Sequence, residues 1–270
     1  MQQSIFSIDD AKAGKSQSFG WLNAIHYMSP YDLAGVGNLC PHSTPGCRAL
    51  CLGEFSGQAA MHKPGEQSSV QVARRKRAVR FMTERQAYLQ DIAHAISLAY
   101  RKAVRKGFPL AVRLNGSTDI AWEGIKIDLA PETAKLINRN LAVGNLHHIV
   151  APGMHRNLMV LFPFVQFLDY TKSAKRLARP LPANYDLTLS RSERNEQEAI
   201  KLAQTGVARI AVVFDRLPAS WHGLRVVNGD KHDLRHLDPH GVVIGLEPKG
   251  WTAKRDQSGF VVRLNNQVKG

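Results

Sequence analysis

Cysteine is scarce in this chain: three residues among 270, an odd number that argues against a framework of paired disulfides. Apolar runs long enough to cross a membrane are missing too. The most apolar stretch, Leu158 to Leu168, is short and is broken by Pro163. Met1 to Gly20 carries no uninterrupted apolar core of the kind a secretory signal needs. Internal repeats, low-complexity tracts and Pro/Ser-rich linkers are absent. These absences point to the cytoplasm, where thiols stay reduced.

Acidic residues are the other shortage. Asp and Glu number 22 against 36 Lys and Arg, a formal net charge of +14 with a pI of about 10. Such an excess points to a polyanionic partner, DNA or RNA first, although an inert basic surface is the plainer reading. Hydrophobic residues at 44% and charged residues at 21% are ordinary for a globular chain. A chain of this length buries a core without needing a metal to fold.

Short apolar runs alternate with helical patterns. The strand candidates are Leu22–Met28, Pro109–Leu114, Val165–Tyr170, Tyr185–Leu189, Arg209–Phe214 and Val242–Leu246. Each has the near-continuous apolar character of a parallel strand covered on both faces. Helices are expected over Ser69–Met82, Glu84–Lys106, Glu132–Asn140, Met154–Leu161 and Glu193–Thr205. Gly107 and Pro109 end the second, Pro131 opens the third, and Ser192 is placed to cap the last. This β-then-α series predicts an α/β fold: a parallel (β/α)6 sheet, open or rolled into a partial TIM-like barrel. One domain over residues 1–270 is expected, with 1–20 as an N-terminal extension and 216–270 as a β-rich C-terminal extension.

Ligands of such sheets collect at the carboxyl ends of the strands. The candidates there are Asn115, Ser117, Thr118 and Asp119 after the second strand, Asp169 to Lys172 after the third, Ser190 to Ser192 after the fourth, Asp215 after the fifth, and Glu247 to Lys249 after the sixth. Any one of them is explained by turn and cap chemistry. Their repetition at one edge marks Asp119 and Asp169 as candidate catalytic carboxylates.

The loop after the first strand holds all three cysteines, spaced Cys40-x6-Cys47-x3-Cys51. The turn-forming Ser43–Gly46 and a single helical turn between Cys47 and Cys51 let three sulfurs converge. Thiolates hold zinc or iron–sulfur clusters. Either His42 completes a closed tetrahedral zinc site, or the cysteines ligate three irons of a [4Fe–4S] cluster and leave the fourth open.

The loop resembles those of phage- and plasmid-borne proteins related to the radical S-adenosylmethionine superfamily. The match centres on STPGC, Ser43 to Cys47, with Cys40 before it and Cys51 after it. The cysteine spacing here departs from the superfamily's usual three-then-two. Weaker similarity continues through RLNGSTDIAWE (Arg113–Glu123), VQFLDYTKSAKR (Val165–Arg176) and YDLTLSRSERNEQEAIKLAQ (Tyr185–Gln204). NGDKHDLRHLDPHGVVIGL (Asn228–Leu246) is similar to a segment of other phage proteins. The resemblance implies a partial barrel in which an open iron chelates S-adenosylmethionine, and reductive cleavage yields a 5′-deoxyadenosyl radical. It implies that Asn115, Ser117, Asp119, Asp169 and Ser190 hold the cofactor's ribose and methionyl parts, with Gly53-Glu54 near its amino group.

Two further clusters are notable. Arg74, Arg75, Lys76, Arg77 and Arg80 crowd one helix, and Arg101, Lys102, Arg105 and Lys106 the next; they are candidates for a phosphate-tracking nucleic-acid surface. Asp230, His232, Asp233, His236, Asp238 and His240 form a polar segment with types suited to metal or acid–base work. A polar loop between strands explains it as well, which leaves Asp230 and Asp233 as secondary candidates. Three functions therefore follow: a radical-SAM-like iron–sulfur enzyme acting on nucleic acid or a nucleotide; a non-catalytic nucleic-acid binder with a structural Cys3His zinc site; or a nucleobase-exchanging, transglycosylase-like barrel enzyme with Asp119 or Asp169 as nucleophile.

Overall fold

The computed structural model describes residues 4–8, 11–55, 57–60, 66–144 and 146–264. In chain order its elements are β1 (Phe6–Ser7), α1 (Ala11–Gln17), β2 (Leu22–His26), α2 (Pro45–Ala49), α3 (Leu52–Phe55), α4 (Ser69–Thr83), α5 (Arg85–Arg105), β3 (Leu110–Arg113), β4 (Ile127–Leu129) and α6 (Pro131–Leu141). There follow β5 (Gly153–His155), α7 (Leu158–Leu161), β6 (Gln166–Thr171), α8 (Ala174–Leu177), β7 (Tyr185–Ser190), α9 (Glu196–Gln204), β8 (Ile210–Val213), β9 (Ser220–Trp221), β10 (Leu224–Asn228), β11 (Val243–Leu246) and α10 (Trp251–Lys254).

All six strands expected from the apolar runs form and pair in parallel, in the order β2-β3-β6-β7-β8-β11. β3, β6, β7 and β8 each join the same growing edge, whereas β11 enters between β8 and β10. With right-handed crossovers the connections from β2 to β8 pass over one face of the sheet, while the β10–β11 connection runs back over the other, where Leu234 packs on Ala111 and Leu168. Short antiparallel strands finish the edges: β1 on β2, and β9 on β10, with β10 parallel to β11. The nine-stranded sheet is open, since β1 and β9 are its two ends. A closed barrel does not form among the described residues.

Strand alternation assigns each side chain to a face. Leu22, Leu110, Val112, Phe167 and Leu187 pack with α5 in the main core, and Leu189, Ile210, Val212 and Val243 pack with α9. Alternate residues, Ala111 and Leu168 with Leu234, and Ala211 with Ile244, form small clusters on the opposite face. Helix α5 turns Tyr88, Leu89, Ile92, Ala93 and Ile96 into the core at helical spacing, all essentially inaccessible. Burying an Ile or Leu there contributes about 1.5–3 kcal/mol each. It ends in paired bonds from Gly107 N to Val104 O and from Phe108 N to Ala103 O, both 3.0 Å, the geometry of a glycine-terminated helix.

Two expectations require correction. The helix over Met154–Leu161 is only Leu158–Leu161. Gly153, with φ of 105°, instead enters β5, which pairs antiparallel with β4. Asn157, in extended backbone, then caps the short helix through Val160 N at 3.0 Å. Ser192 does not cap α9: its N–H and hydroxyl donate to Asn195 Oδ1 at 2.7 and 3.1 Å, forming a turn that delays the helix to Glu196. Within residues 216–270, β11 is an inner strand paired to β8 and β10. Among the described residues, no helix is long and apolar enough to cross a membrane.

Candidate functional site at the carboxyl edge

At the carboxyl ends of the parallel strands lies a cavity of about 230 Å³. One wall is the cysteine loop, contributing Cys40, Cys47, Cys51, Tyr31, Leu50 and Leu52. The floor and far wall are Arg113, Tyr170, Ser190, Val213 and Leu246, followed by Asp230, Asp233 and Lys249. Every strand-borne member of that group belongs to the sheet face opposite α5 and α9.

The cysteine loop is shaped by its own sequence and held from a distance. Thr44 is the N-cap of α2, accepting from Cys47 N at 3.2 Å, and Pro45 takes the first turn, where a missing N–H costs nothing. Glu193, on the loop after β7, accepts from Thr44 Oγ1 at 2.9 Å and from Gly46 N at 3.0 Å. Gly53 presses against the β3 loop so closely that a Cβ would stand 2.5 Å from Ser117 Cβ and 3.5 Å from Cys51 Sγ. Only glycine permits that approach.

All three cysteines are free thiols facing one cavity, and each is only partly exposed. Burial pushes Cys40 up to about 12 and Cys51 up to about 11, and the neighbouring sulfurs add to both shifts. Cys40 Sγ donates to Ser117 O at 3.6 Å. Lys172 stands where its charge favours the Cys51 thiolate; its Nζ donates to Ser190 Oγ at 3.0 Å and lies 5.5 Å from the Phe260 ring centroid. Among the described residues, no three His, Cys, Asp or Glu side chains stand gathered as a ready metal site. The donor chemistry nonetheless suits a soft metal: three sulfurs share a cavity, and a cation would displace protons that burial otherwise retains. His42 is exposed and does not line the cavity.

The other candidates divide by strand parity and bonding. Ser117, Asp119 and Ser190 line the cavity, as does Asn115. Asn115 is fully engaged in shaping its loop: Oδ1 accepts from Thr118 Oγ1 at 2.8 Å, Ile120 N at 3.0 Å and Trp122 Nε1 at 3.0 Å. Ser117 Oγ donates to Met28 O at 2.5 Å. Asp119 receives Arg176 on one oxygen and Lys172 N on the other, both at 2.9 Å. Asp169 belongs to the α5-facing side of β6, with Phe167, and does not line the cavity. It accepts from Asn115 N at 2.7 Å and Tyr185 Oη at 2.9 Å. Burial pushes its carboxyl up to about 7, against those bonds and the charge of Arg113. Glu54 is buried and accepts from Gln71 Nε2 at 2.9 Å, away from the cavity.

The basic helix also turns largely inward. Arg74 donates to Gly53 O and lies over Tyr27 at 4.7 Å. Arg77 lies close enough to His26 to help burial hold that imidazole down at about 3. Arg80 pairs with Asp91 at 2.8 Å and lies over Tyr88 at 5.2 Å. Lys76 is exposed and Arg75 half-buried. On α5, Arg101 donates to Asn140 Oδ1 at 3.2 Å, while Arg105 and Lys106 are exposed.

The Asp/His segment is a half-buried ionic layer, with His240 exposed, built around the buried Arg209 and Arg235. Arg235, fully buried, pairs with Asp238 at 3.2 Å; Arg209 pairs with Asp186 at 2.6 Å and meets His240 Nε2 at 3.2 Å. His232 stands 3.8 Å from Asp238, and burial lowers His236 to about 4. Asp230 and Asp233 reach the cavity; Asp230 holds Lys249 at 2.6 Å, and Asp233 lies 3.9 Å from Arg113, whose guanidinium covers Tyr170 at 4.7 Å. The sequence reading missed Glu193, Arg113 and Tyr31; only Arg113, ending an apolar strand, carried a local signal.

The model of the Gene product 88 family matches residues 5–264. No curated protein and no solved structure matches the chain.

Proposed function

The chain belongs to the Gene product 88 family, a phage-type family, and we propose that it is a radical-SAM-like iron–sulfur enzyme acting on a nucleic acid or nucleotide. One observation carries this reading: Cys40, Cys47 and Cys51 face a single cavity at the carboxyl edge of six parallel strands in sequential order. That order is the winding of a partial (β/α)6 barrel, and it supports the barrel reading although the sheet is open. A [4Fe–4S] cluster held by three cysteines would supply an open iron for S-adenosylmethionine and, on one-electron reduction, cleavage to a 5′-deoxyadenosyl radical.

The chain's own residues prepare the cavity. Glu193 fixes the first turn of α2 and with it Cys47. Lys172, steadied by Ser190, places a positive charge where it favours the Cys51 thiolate that a bound metal would require. Leu50, Leu52, Phe260 and Val261 give that side an apolar lining that limits water. Arg113 and Tyr170 form a charged and aromatic floor on which a polar substrate can rest.

The exposed position of His42 weighs against a closed Cys3His zinc site. The bonding of both Asp119 oxygens, and the far-face position of Asp169, weigh against an aspartate nucleophile. The test is to reconstitute the protein anaerobically with iron and sulfide, reduce it with dithionite and add S-adenosylmethionine. Formation of 5′-deoxyadenosine and methionine, lost in Cys47→Ala, is expected. A reconstituted cluster that neither binds nor cleaves the cofactor would remove the radical part of the proposal.

A further inference from the structure

The turn over residues 249–261, which borders the cavity, carries an aromatic lip that the proposed activity leaves unused. Trp251 opens α10 and is 69% exposed, whereas Trp122 and Trp221 are buried. Arg255 lies over that ring, 3.8 Å from its centroid. Lys249 and Ala253, on either side of Trp251 in sequence, line the cavity; Ala253 packs inward with Leu50 and Val261, and Trp251, two positions earlier in the same helix, is left facing solvent.

The lip is a built structure. Lys249 is tethered to Asp230 at 2.6 Å, and Asp230 also accepts from Glu247 N at 2.9 Å. The buried Asp256 accepts from Ser258 Oγ at 2.7 Å and from Val261 N at 2.9 Å. Arg263 donates to Lys254 O at 2.7 Å, closing the turn from behind. A large ring held exposed on such a preorganised turn is ready to meet a flat partner without ordering cost.

We propose that this lip binds single-stranded nucleic acid, one base stacking on Trp251 while Lys254 and Arg255 take adjoining phosphates. The charge of +14 supplies the general attraction. The exposed indole, with Arg255 over one face, supplies a sequence-tolerant stacking platform on the other, and a duplex keeps its base faces hidden from such a platform. The α4 basic run is a poorer surface, because Arg74, Arg77 and Arg80 serve the fold. Any chemistry on the bound strand rests on the proposed activity; the binding itself does not.

The test uses the full chain and a fluorescein-labelled oligothymidylate, read by anisotropy across a salt series. Trp251→Ala is expected to weaken binding about 5- to 150-fold, while Trp251→Phe retains most of it. Arg255→Ala is expected to lower the salt slope by about one, and Arg75→Ala to change little. Binding is expected unchanged in Cys47→Ala, which separates failure of the lip from failure of the metal reading. Equal affinity in Trp251→Ala and Trp251→Phe, preference for duplex over single strand, or binding to phosphatidylglycerol vesicles in place of the oligonucleotide would each overturn the proposal.

Discussion

Glu193 and Thr44 lie 149 residues apart in the chain and meet at 2.9 Å, the threonine hydroxyl donating to the carboxylate. The same carboxylate takes Gly46 N at 3.0 Å. Two distant strand loops are thereby joined, and the first turn of the cysteine helix is fixed by a residue outside it.

Removing that carboxylate leaves a buried Gly46 N–H without its acceptor. Glu193→Ala is expected to lower stability by about 1–3 kcal/mol and to reduce iron uptake on reconstitution. Glu193→Gln, which keeps one acceptor oxygen, should lose less. Urea unfolding midpoints and iron content of the same samples check both.

Asp119 joins the β3 loop to the β6 loop through Arg176 and Lys172 N. Arg176 keeps Glu123 at 2.8 Å when Asp119 is neutralised, so the loss is partial. Asp119→Asn is expected to cost about 1–3 kcal/mol, seen as a lower thermal midpoint. A variant as stable as the native protein but inactive would instead assign Asp119 to chemistry.

The Asp169 carboxyl, pushed by burial from the ordinary 3.8 up to about 7, binds its proton more tightly folded than unfolded. Its contribution to stability is therefore present in full below about pH 4 and is lost as pH rises through about 7. Between those limits, native stability should fall relative to that of Asp169→Asn. Paired denaturant titrations at pH 5 and pH 8 measure the difference; equal native-minus-variant values at both would contradict it.

His26 is buried with Nδ1 3.1 Å from Leu114 O and Nε2 2.8 Å from Tyr88 Oη. Since a carbonyl only accepts, Nδ1 carries the proton and Nε2 accepts from the tyrosine. Burial and Arg77 lower its pKa to about 3, so the contribution of the neutral ring holds above 6.5 and is lost as pH falls towards 3. Nitrogen chemical shifts of His26 should stay constant from pH 8 to pH 5, and Tyr88→Phe should cost about 1 kcal/mol.

The inner strands were legible because a parallel strand covered on both faces is apolar along its whole length, as Leu110–Val112 and Ile210–Val213 are. The two-residue edge strands β1 and β9 have too little pattern to read. Strand parity separates Asp119 from Asp169: both follow apolar runs, but Asp169 is a β6 residue on the helix-facing side, while Asp119 lies beyond β3 in the mouth. The spacing of Arg74, Arg77 and Arg80 was already that of one helical face, and that face turns inward. Nothing local announces Glu193, whose partners depend wholly on tertiary structure.

The proposed activity depends on a metal held by Cys40, Cys47 and Cys51. Anaerobic purification followed by visible absorbance and iron, sulfide and zinc analysis, with Cys47→Ala alongside, tests it most directly. A brown protein with about four iron and four sulfide per chain is expected, both lost in the variant. Stoichiometric zinc without iron, in protein from iron-replete cells, would contradict it.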